Sequence, residues 1–595
     1  MSYSWRMFKS KVAKFNLEKS EERHDSLAVL FHAFTSVPQH METVAKAVRE
    51  SMGNVHVIVP QLPLGLFSTA DASTISRDVL NEIKSQIQFR DGKRWREFEE
   101  IVLIGHSVGA LIARKVYVLW CGDFLDGPSE ADENAKHIVR RKGVSKVRRI
   151  ILLAGMNRGW SITHHLGILR AIQLSIGAAW GHILDSIFGV RLVIFQARRG
   201  SAFLTQLRLE WLALTKSLAN YKIPMATTIQ LLGTIDDLVS PDDNIDLTTG
   251  RDFIYLDVPH SGHPNVIEMD DTKAGQERSR VFKMALSETE ETIRSHAILP
   301  ADPILAQINW DVKIVVFVIH GIRDDGYWTH KIFRKIVATG QAPPRIYASE
   351  TARYGYFAMA PFLLPWRRRE KVEWLMDQYV EAKALYPNAT NFSYVGHSNG
   401  TYLLTYALKH YSACQFDNVV FAGSVVRKQY KWLEAIGKGQ IKAVLNYVAT
   451  ADWVVAFLPG AFEILRLQDI GSAGHNGFDQ ATANGPVFER RYIRGTHSAA
   501  LVEENWDDIA HFILNGQPKE IPDETKRENN GLWAPKRRWY VVIPGYVAPL
   551  LWIAAIVIAL ALGWFVWIRA PEPQWAKTLA VAAYAMGIWR ILTWL

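Results

Sequence analysis

Two serines stand where a nucleophile could be made: Ser107 in Gly105-His106-Ser107-Val108-Gly109, and Ser398 in Gly396-His397-Ser398-Asn399-Gly400. Each pentapeptide follows a short apolar run (Ile101 to Ile104, Phe392 to Val395) and precedes residues of helical character. A serine on a sharp strand-to-helix turn leaves no room for side chains two positions either side, which explains the glycines. The helix N-terminus behind it favours a developing oxyanion. Such a serine attacks only when a base takes its proton, so a histidine, and a carboxylate that orients it, should follow. After the first serine, the run Thr228 to Leu232 leads to Asp236 and Asp237, and Phe253 to Leu256 leads to His260 and His263. After the second, Ala443 to Val448 leads to Asp452, and Arg491 to Ile493 leads to His497, with His475 as its rival. Chance alone gives about 0.2 Gly-x-Ser-x-Gly matches in a chain of this length, so it is the second copy that carries weight.

The elements that must hold these residues also occur twice. The apolar run Leu27 to Phe31 ends in His32-Ala33, and Ile314 to Ile319 ends in His320-Gly321. Loops after such first strands can offer one backbone N–H to an oxyanion, from Ala33 or Gly321. The residue after each serine, Val108 or Asn399, offers the other. The order strand, elbow, acid, histidine recurs once, and internal duplication of one fold is the economical explanation. His497 is preferred to His475 because it follows the last strand and precedes a terminal helix.

The span from about Leu27 to Ile513 resembles two α/β-hydrolase domains. The first elbow with Leu111-Ile112-Ala113-Arg114-Lys115 is similar to membrane-associated lipases and esterases that remodel lipid anchors. The second, with Val318-Ile319-His320-Gly321-Ile322, an Arg353 to Pro365 segment and the elbow running into Thr401-Tyr402-Leu403-Leu404, resembles bacterial proteins of the same fold. The resemblance implies mostly parallel sheets flanked by helices and Ser-His-Asp acyl transfer without cofactor or metal. The family pattern Gly-x-x-Asp-x-x-Val falls on Gly233, Asp236 and Val239, favouring Asp236 over Asp237. The family's Gly-His ending falls on Gly262-His263, favouring His263 over His260. Ala33 departs from the family's usual His-Gly.

The chain's 595 residues and 49% hydrophobic content are globular with an apolar excess. Lysine and arginine exceed the acids by 68 − 59 = 9, but they occur as scattered pairs and triplets. With no zinc-finger spacing, Walker A run or aromatic-basic motif, nucleic acid is not the expected partner; an anionic membrane surface is. Two cysteines, Cys121 and Cys414, are too few for a disulfide framework, which fits a reducing compartment.

From Trp539 to Ile568 no charge occurs, long enough to cross a bilayer, and Thr578 to Leu595 is interrupted only by Arg590. The expectation is a C-terminal transmembrane hairpin, or one span with one interfacial helix. Lys526, Arg527 and Lys536 to Arg538 precede the first span, against Arg569 and Lys577 after it, which places the body on the cytoplasmic side of an inner membrane. The expected divisions are an N-terminal basic segment (1–24), hydrolase domains (25–300 and 301–520), a basic linker (521–538) and the hairpin (539–595). Trp5, Phe8, Val12 and Phe15 can line one face of a helix in that first segment, packed on the body or lying on a membrane. Between Gly155 and Ala202, the stretch Ala171 to Val190 carries one carboxylate, Asp185, and reads as an apolar lid, or else a further span. The aromatic Tyr354 to Trp366 segment, ending at Arg367-Arg368-Arg369, reads either as a lipid-touching face or as a helix between domains. Together these features predict an acyl-ester or lipid substrate, the alternatives being that one or both domains are inactive and serve as a lipid-binding or scaffold module, or that the bond cleaved is an amide or thioester.

Overall fold

The computed structural model describes residues 25–88, 98–122, 144–161, 192–220, 223–235, 246, 253–298, 308–322, 326–351, 359–520 and 531–594. The basic N-terminal segment, the stretch 171–190, Asp236 and Asp237, most of the linker and the first part of the Tyr354 to Trp366 segment lie outside the described residues. The chain separates into two compact units, Met1–Ile308 and Asn309–Leu595.

The first unit is built on six parallel strands: β1 Ser26–Phe31, β2 Val55–Ile58, β3 Glu100–His106, β4 Val147–Leu153, β5 Thr227–Gly233 and β6 Phe253–Val258. Their spatial order is β2-β1-β3-β4-β5-β6. In a strand, successive side chains point to opposite faces, and here both faces are covered. Leu27, Val29 and Phe31 enter one core with the helices α2 (Ala72–Gln88), α3 (Val108–Cys121) and α4 (Ala202–Asn220). Ala28 and Leu30 enter the other, with α1 (Glu42–Met52) and α5 (Lys273–Ser287). Burial on both faces explains why these strands read as unbroken apolar runs rather than as alternation.

The second unit repeats the plan with β7 Ile314–Ile319, β8 Tyr347–Glu350, β9 Asn391–His397, β10 Asn418–Ala422, β11 Ala443–Ala449 and β12 Val487–Ile493. All neighbours are parallel and the order is β8-β7-β9-β10-β11-β12, the same as in the first unit. In both sheets the strand order reverses beside the first strand, so the loop after it and the elbow after the third strand meet in the crevice at the strands' carboxyl ends. The helices used below are α6 (Tyr327–Thr339), α7 (Met359–Leu363), α8 (Pro365–Leu385), α9 (Asn399–His410), α10 (Trp453–Leu465) and α11 (Trp506–Asn515). Both sheets are the parallel, helix-flanked kind expected of an α/β-hydrolase.

The chain closes with α12 (Trp539–Arg569) and α13 (Gln574–Trp594). Among the described residues, α12 is the one helix long and apolar enough to cross a membrane. The second apolar stretch forms α13, where Tyr584 Oη donates to the carbonyl of Ala559 in α12 at 2.8 Å. The end of the aromatic segment is α7, packed against α13.

Two candidate active sites

Both elbows have the geometry their glycines require. Ser107 sits at φ 55° and ψ −120°, and Ser398 at φ 52° and ψ −119°. A left-handed φ at a residue with a Cβ costs about 1–2 kcal/mol and persists only where its surroundings impose it. Here they do: Ser107 N–H donates to Leu153 O and Ser398 N–H to Ala422 O, both at 3.0 Å, fixing each turn to the next strand. A Cβ on Gly105 would lie 2.5 Å from Ala110 Cα, and one on Gly400 would lie 2.6 Å from Ile319 O, so the elbow helix approaches the sheet through spaces only glycine leaves.

In the first unit the elbow and His263, just beyond β6, come together: His263 Nε2 is 2.7 Å from Ser107 Oγ. Both are buried. His106, beside the nucleophile, holds the backbone of this histidine, its Nε2 lying 2.9 Å from His263 O. His260, the rival, is exposed and pairs with Glu277 at 3.8 Å. Asp236 lies outside the described residues; among those described, the first site brings Ser107 and His263 together. Ala33 and Val108 line the same cavity as Ser107, where the oxyanion donors should be. His32 shapes this loop: its Nε2 accepts from Leu62 N–H at 2.9 Å, leaving Nδ1 to donate to Ala33 O at 2.9 Å. That assignment needs a neutral ring, and burial depresses its pKa accordingly.

The cavity over Ser107 measures about 670 Å³ and is walled chiefly by apolar side chains, among them Phe34, Met156, Trp160, Ile194 and Ile267. Trp160 Nε1 donates to Ile194 O at 2.8 Å, so the chain leaves for and returns from the long insert at the cavity wall.

In the second unit the contact that forms is the other half of the relay. His497 Nδ1 lies 3.0 Å from both carboxylate oxygens of Asp452, which also caps α10 by accepting from Val455 N–H at 3.0 Å. Burial raises the carboxyl pKa of Asp452, but the His497 imidazole, its hydrogen bond, the Val455 N–H and the nearby His475 outweigh that and leave it below the ordinary carboxylate value. Ser398 Oγ makes no hydrogen bond to His497, so the two must draw together before proton transfer. His397 stacks obliquely on His497, ring centroids 4.9 Å apart. Gly321 has no space for a side chain: a Cβ there would be 2.7 Å from Ser398 Cβ and 3.3 Å from its Oγ. Asn399 is fully buried at the start of α9.

Gly423, just after β10, stands against this histidine at φ 53°; a Cβ there would meet His497 Cε1 at 2.7 Å and Nδ1 at 2.8 Å. Gly423→Ala should push the imidazole off Asp452 and lower turnover at the second site by about a hundredfold, the cost of a misplacement near 1 Å. Loss of fluorophosphonate labelling at Ser398, with labelling of Ser107 intact, is the measurement that checks it.

His475 is buried without joining Ser398 or Asp452 by a hydrogen bond, and its Nδ1 has no partner. Burial, then the charge of Arg537, depresses its pKa to about 4. In the unfolded chain it titrates near its ordinary 6.5, so as the pH falls the unfolded state takes the proton first. Stability of the second unit should therefore drop between pH 6.5 and 4, by about 3 kcal/mol in all. In pH-dependent thermal unfolding the His475→Gln variant should lose that slope; an unchanged slope would count against it.

Sequence reading missed the buried polar frame behind the first elbow. Arg114 and Lys115 belong to a helix buried along its whole length. Arg114 Nη1 donates to Asn157 Oδ1 at 3.3 Å, Asn157 Nδ2 to Gln230 Oε1 at 3.1 Å, and Lys115 pairs with Glu210 at 2.5 Å. Asp246 accepts from Arg208 Nε at 3.0 Å and lies 3.5 Å from Arg114. Among the described residues no group of three His, Cys, Asp or Glu side chains could hold a metal ion.

The repeated parallel sheet and the two serine elbows define an α/β-hydrolase class of protein. Within it, residues 20–120, which span β1 to the elbow helix, match the family described as "Putative serine esterase (DUF676)". No curated protein matches the chain. Similar solved structures include the lipase BlEst2 of Bacillus licheniformis, 11% identical over 45% of this chain and 95% of that chain, with a TM-score of 0.27. A lipase-esterase related protein of Clostridium acetobutylicum is 12% identical over 46% of this chain and 98% of that one, with a TM-score of 0.26. Phospholipase PlaB of Legionella pneumophila is 14% identical over 46% and 60%, with a TM-score of 0.30.

Proposed function

We propose that this protein is a membrane-anchored serine esterase of the lipase type, cleaving acyl esters of lipids or other apolar alcohols through an acyl-enzyme. The observation that carries the reading is Ser107 Oγ, 2.7 Å from His263 Nε2, in the wall of an apolar cavity of about 670 Å³. In the first half-reaction His263 accepts the Ser107 proton as Oγ attacks the ester carbonyl, and the N–H groups of Ala33 and Val108 receive the oxyanion. The imidazolium then gives its proton to the departing alcohol, and water, deprotonated by the same histidine, releases the acid. Asp236 is the proposed orienting carboxylate. In the second unit Ser398, His497 and Asp452 take these roles, with Gly321 and Asn399 as oxyanion donors. No metal or cofactor is needed for any step.

The anchor proposed is α12 with α13 as a hairpin, its basic approach holding both hydrolase domains at the cytoplasmic face of the inner membrane, with the divisions 25–300 and 301–520. Apolar cavity walls and an anchor together favour a substrate with an acyl chain that the bilayer supplies. A second reading applies to the second unit alone: the missing Ser398–His497 hydrogen bond favours a module that binds lipid without turning it over.

The test is hydrolysis of p-nitrophenyl esters from acetate to laurate by the detergent-solubilised protein, with fluorophosphonate labelling and peptide mapping. The reading expects labelling at Ser107 and rates that rise with chain length before falling as the cavity fills. Absence of both labelling and hydrolysis would overturn it.

A further inference from the structure

The catalytic acid of the second site opens a helix that is itself built against the proposed anchor. Asp452 caps α10, and α10 packs on the first turns of α12. Trp552 Nε1 donates to Phe457 O at 3.3 Å, and the two rings lie 5.4 Å apart. Gly545 lets the helices close: a Cβ there would be 3.3 Å from Ala456 Cβ. Ala451, Ala456 and Val541 form a small buried cluster between them, and Arg538 N–H donates to Thr450 O at 2.9 Å.

What α10 does not bury is large and apolar. Trp453, next to the catalytic acid, is 60% exposed, and at the other end Ile464 and Leu467 are 54% and 65% exposed. The helix it packs on, α12, likewise exposes apolar side chains, such as Leu550 and Ile553. The length of α12 points the same way: 31 residues rise about 46 Å, against a hydrocarbon core of about 30 Å. Its first turns, which pack on α10, can supply that surplus, and they begin at Trp539 directly after Lys536, Arg537 and Arg538. Arg466 is exposed amid the apolar end of α10. Cations at that level face phosphate headgroups, while tryptophan suits the boundary between headgroup and chain. The nucleophile's helix is tied to the same region. Tyr402 of α9 donates to Asp469 at 2.8 Å, Asp469 pairs with Arg368 at 2.7 Å, and Arg368 also donates to Phe362 O in α7, the helix packed on α13.

We infer that α10 and its exit through Leu467 lie in the interface of an anionic phospholipid bilayer, so that the second site receives a membrane phospholipid from the side of the leaflet rather than from water. The inference rests on the proposed membrane span of α12. Trp453 places the bilayer one residue from the catalytic acid.

Three single-cysteine probes on the full-length protein, Leu467→Cys, Leu560→Cys and Lys438→Cys, test it. The native Cys121 and Cys414 are buried and escape labelling. Leu560 is exposed on α12, and Lys438 is exposed just before β11, at the opposite end of that strand from α10. Each probe carries an environment-sensitive fluorophore, and the protein is reconstituted into phosphatidylcholine–phosphatidylglycerol vesicles with brominated acyl chains. The expected result is loss of most of the emission at Leu467→Cys and Leu560→Cys, with Lys438→Cys unquenched by lipid and open to aqueous iodide. Quenching at Leu560→Cys with Leu467→Cys open to iodide overturns the inference and leaves the anchor standing. No lipid quenching at either overturns both. Hydrolysis is not read, so an inactive second site leaves the result unaffected.

Discussion

Ser107→Ala should lower the proposed ester hydrolysis at the first site by about a millionfold, the size expected when the attacking serine oxygen is removed. The activity that remains is whatever the second unit supplies. The Ser107→Ala, Ser398→Ala pair therefore assigns turnover between the units, read as hydrolysis rate and as labelled peptide. Because Ser107 already contacts its base and Ser398 does not, the larger loss is expected from Ser107→Ala. A Ser107→Ala protein that hydrolyses and labels like the wild type would remove the first unit from the proposed chemistry. The alanine also keeps the Cβ and the Ser107 backbone bond to Leu153, so a change in folding should be small.

Asp246→Ala should be the most damaging single change to the first unit's stability. Asp246 is fully buried, and removing its carboxylate takes a buried counter-charge away from the guanidinium groups of Arg114 and Arg208. Breaking a buried ionic cluster at one member costs about 3–5 kcal/mol, because the orphaned charge stays desolvated. Urea unfolding followed through the first unit should show that loss, and Asp246→Asn, which keeps acceptor capacity but not charge, should lose less. Replacing all three residues by apolar ones of similar volume should restore much of the stability. A midpoint unchanged by Asp246→Ala would mean that Asn157 and the Trp211 and Phe253 rings hold Arg114 without Asp246.

The elements around the chemistry were legible because their signals are local. Two glycines flanking a serine, a buried strand before it and a helix after it all fall within a dozen residues, and both elbows formed where that pattern stood. The first strands were equally plain, since Leu27 to Phe31 and Ile314 to Ile319 are unbroken apolar runs. Strand β4 was not read, because Val147-Arg148-Arg149 opens it with charge, and β8 and β10 were not read because they are short and carry Ser349 and Asn418. The pairing of Asp452 with His497 came from order along the chain. The charge cluster of Arg114 could not come from the sequence: its partner Asp246 lies 132 residues away, and an arginine next to a lysine ordinarily signals solvent, not the centre of a core. Distances of that kind are set by which helix faces meet, and hydrophobic periodicity does not encode them.

The backbone of the elbow has a consequence for how this chain can change over generations. At φ 55° and ψ −120° glycine is at ease and serine is strained, so the nucleophile occupies its position against the local preference of the chain. Loss of the hydroxyl by a serine-to-glycine change is thus the inactivating step with the least structural opposition. A duplicated unit freed from selection for turnover would drift toward that state while keeping its fold. Both copies carry serine at this position, so in neither unit has that least-opposed step been taken.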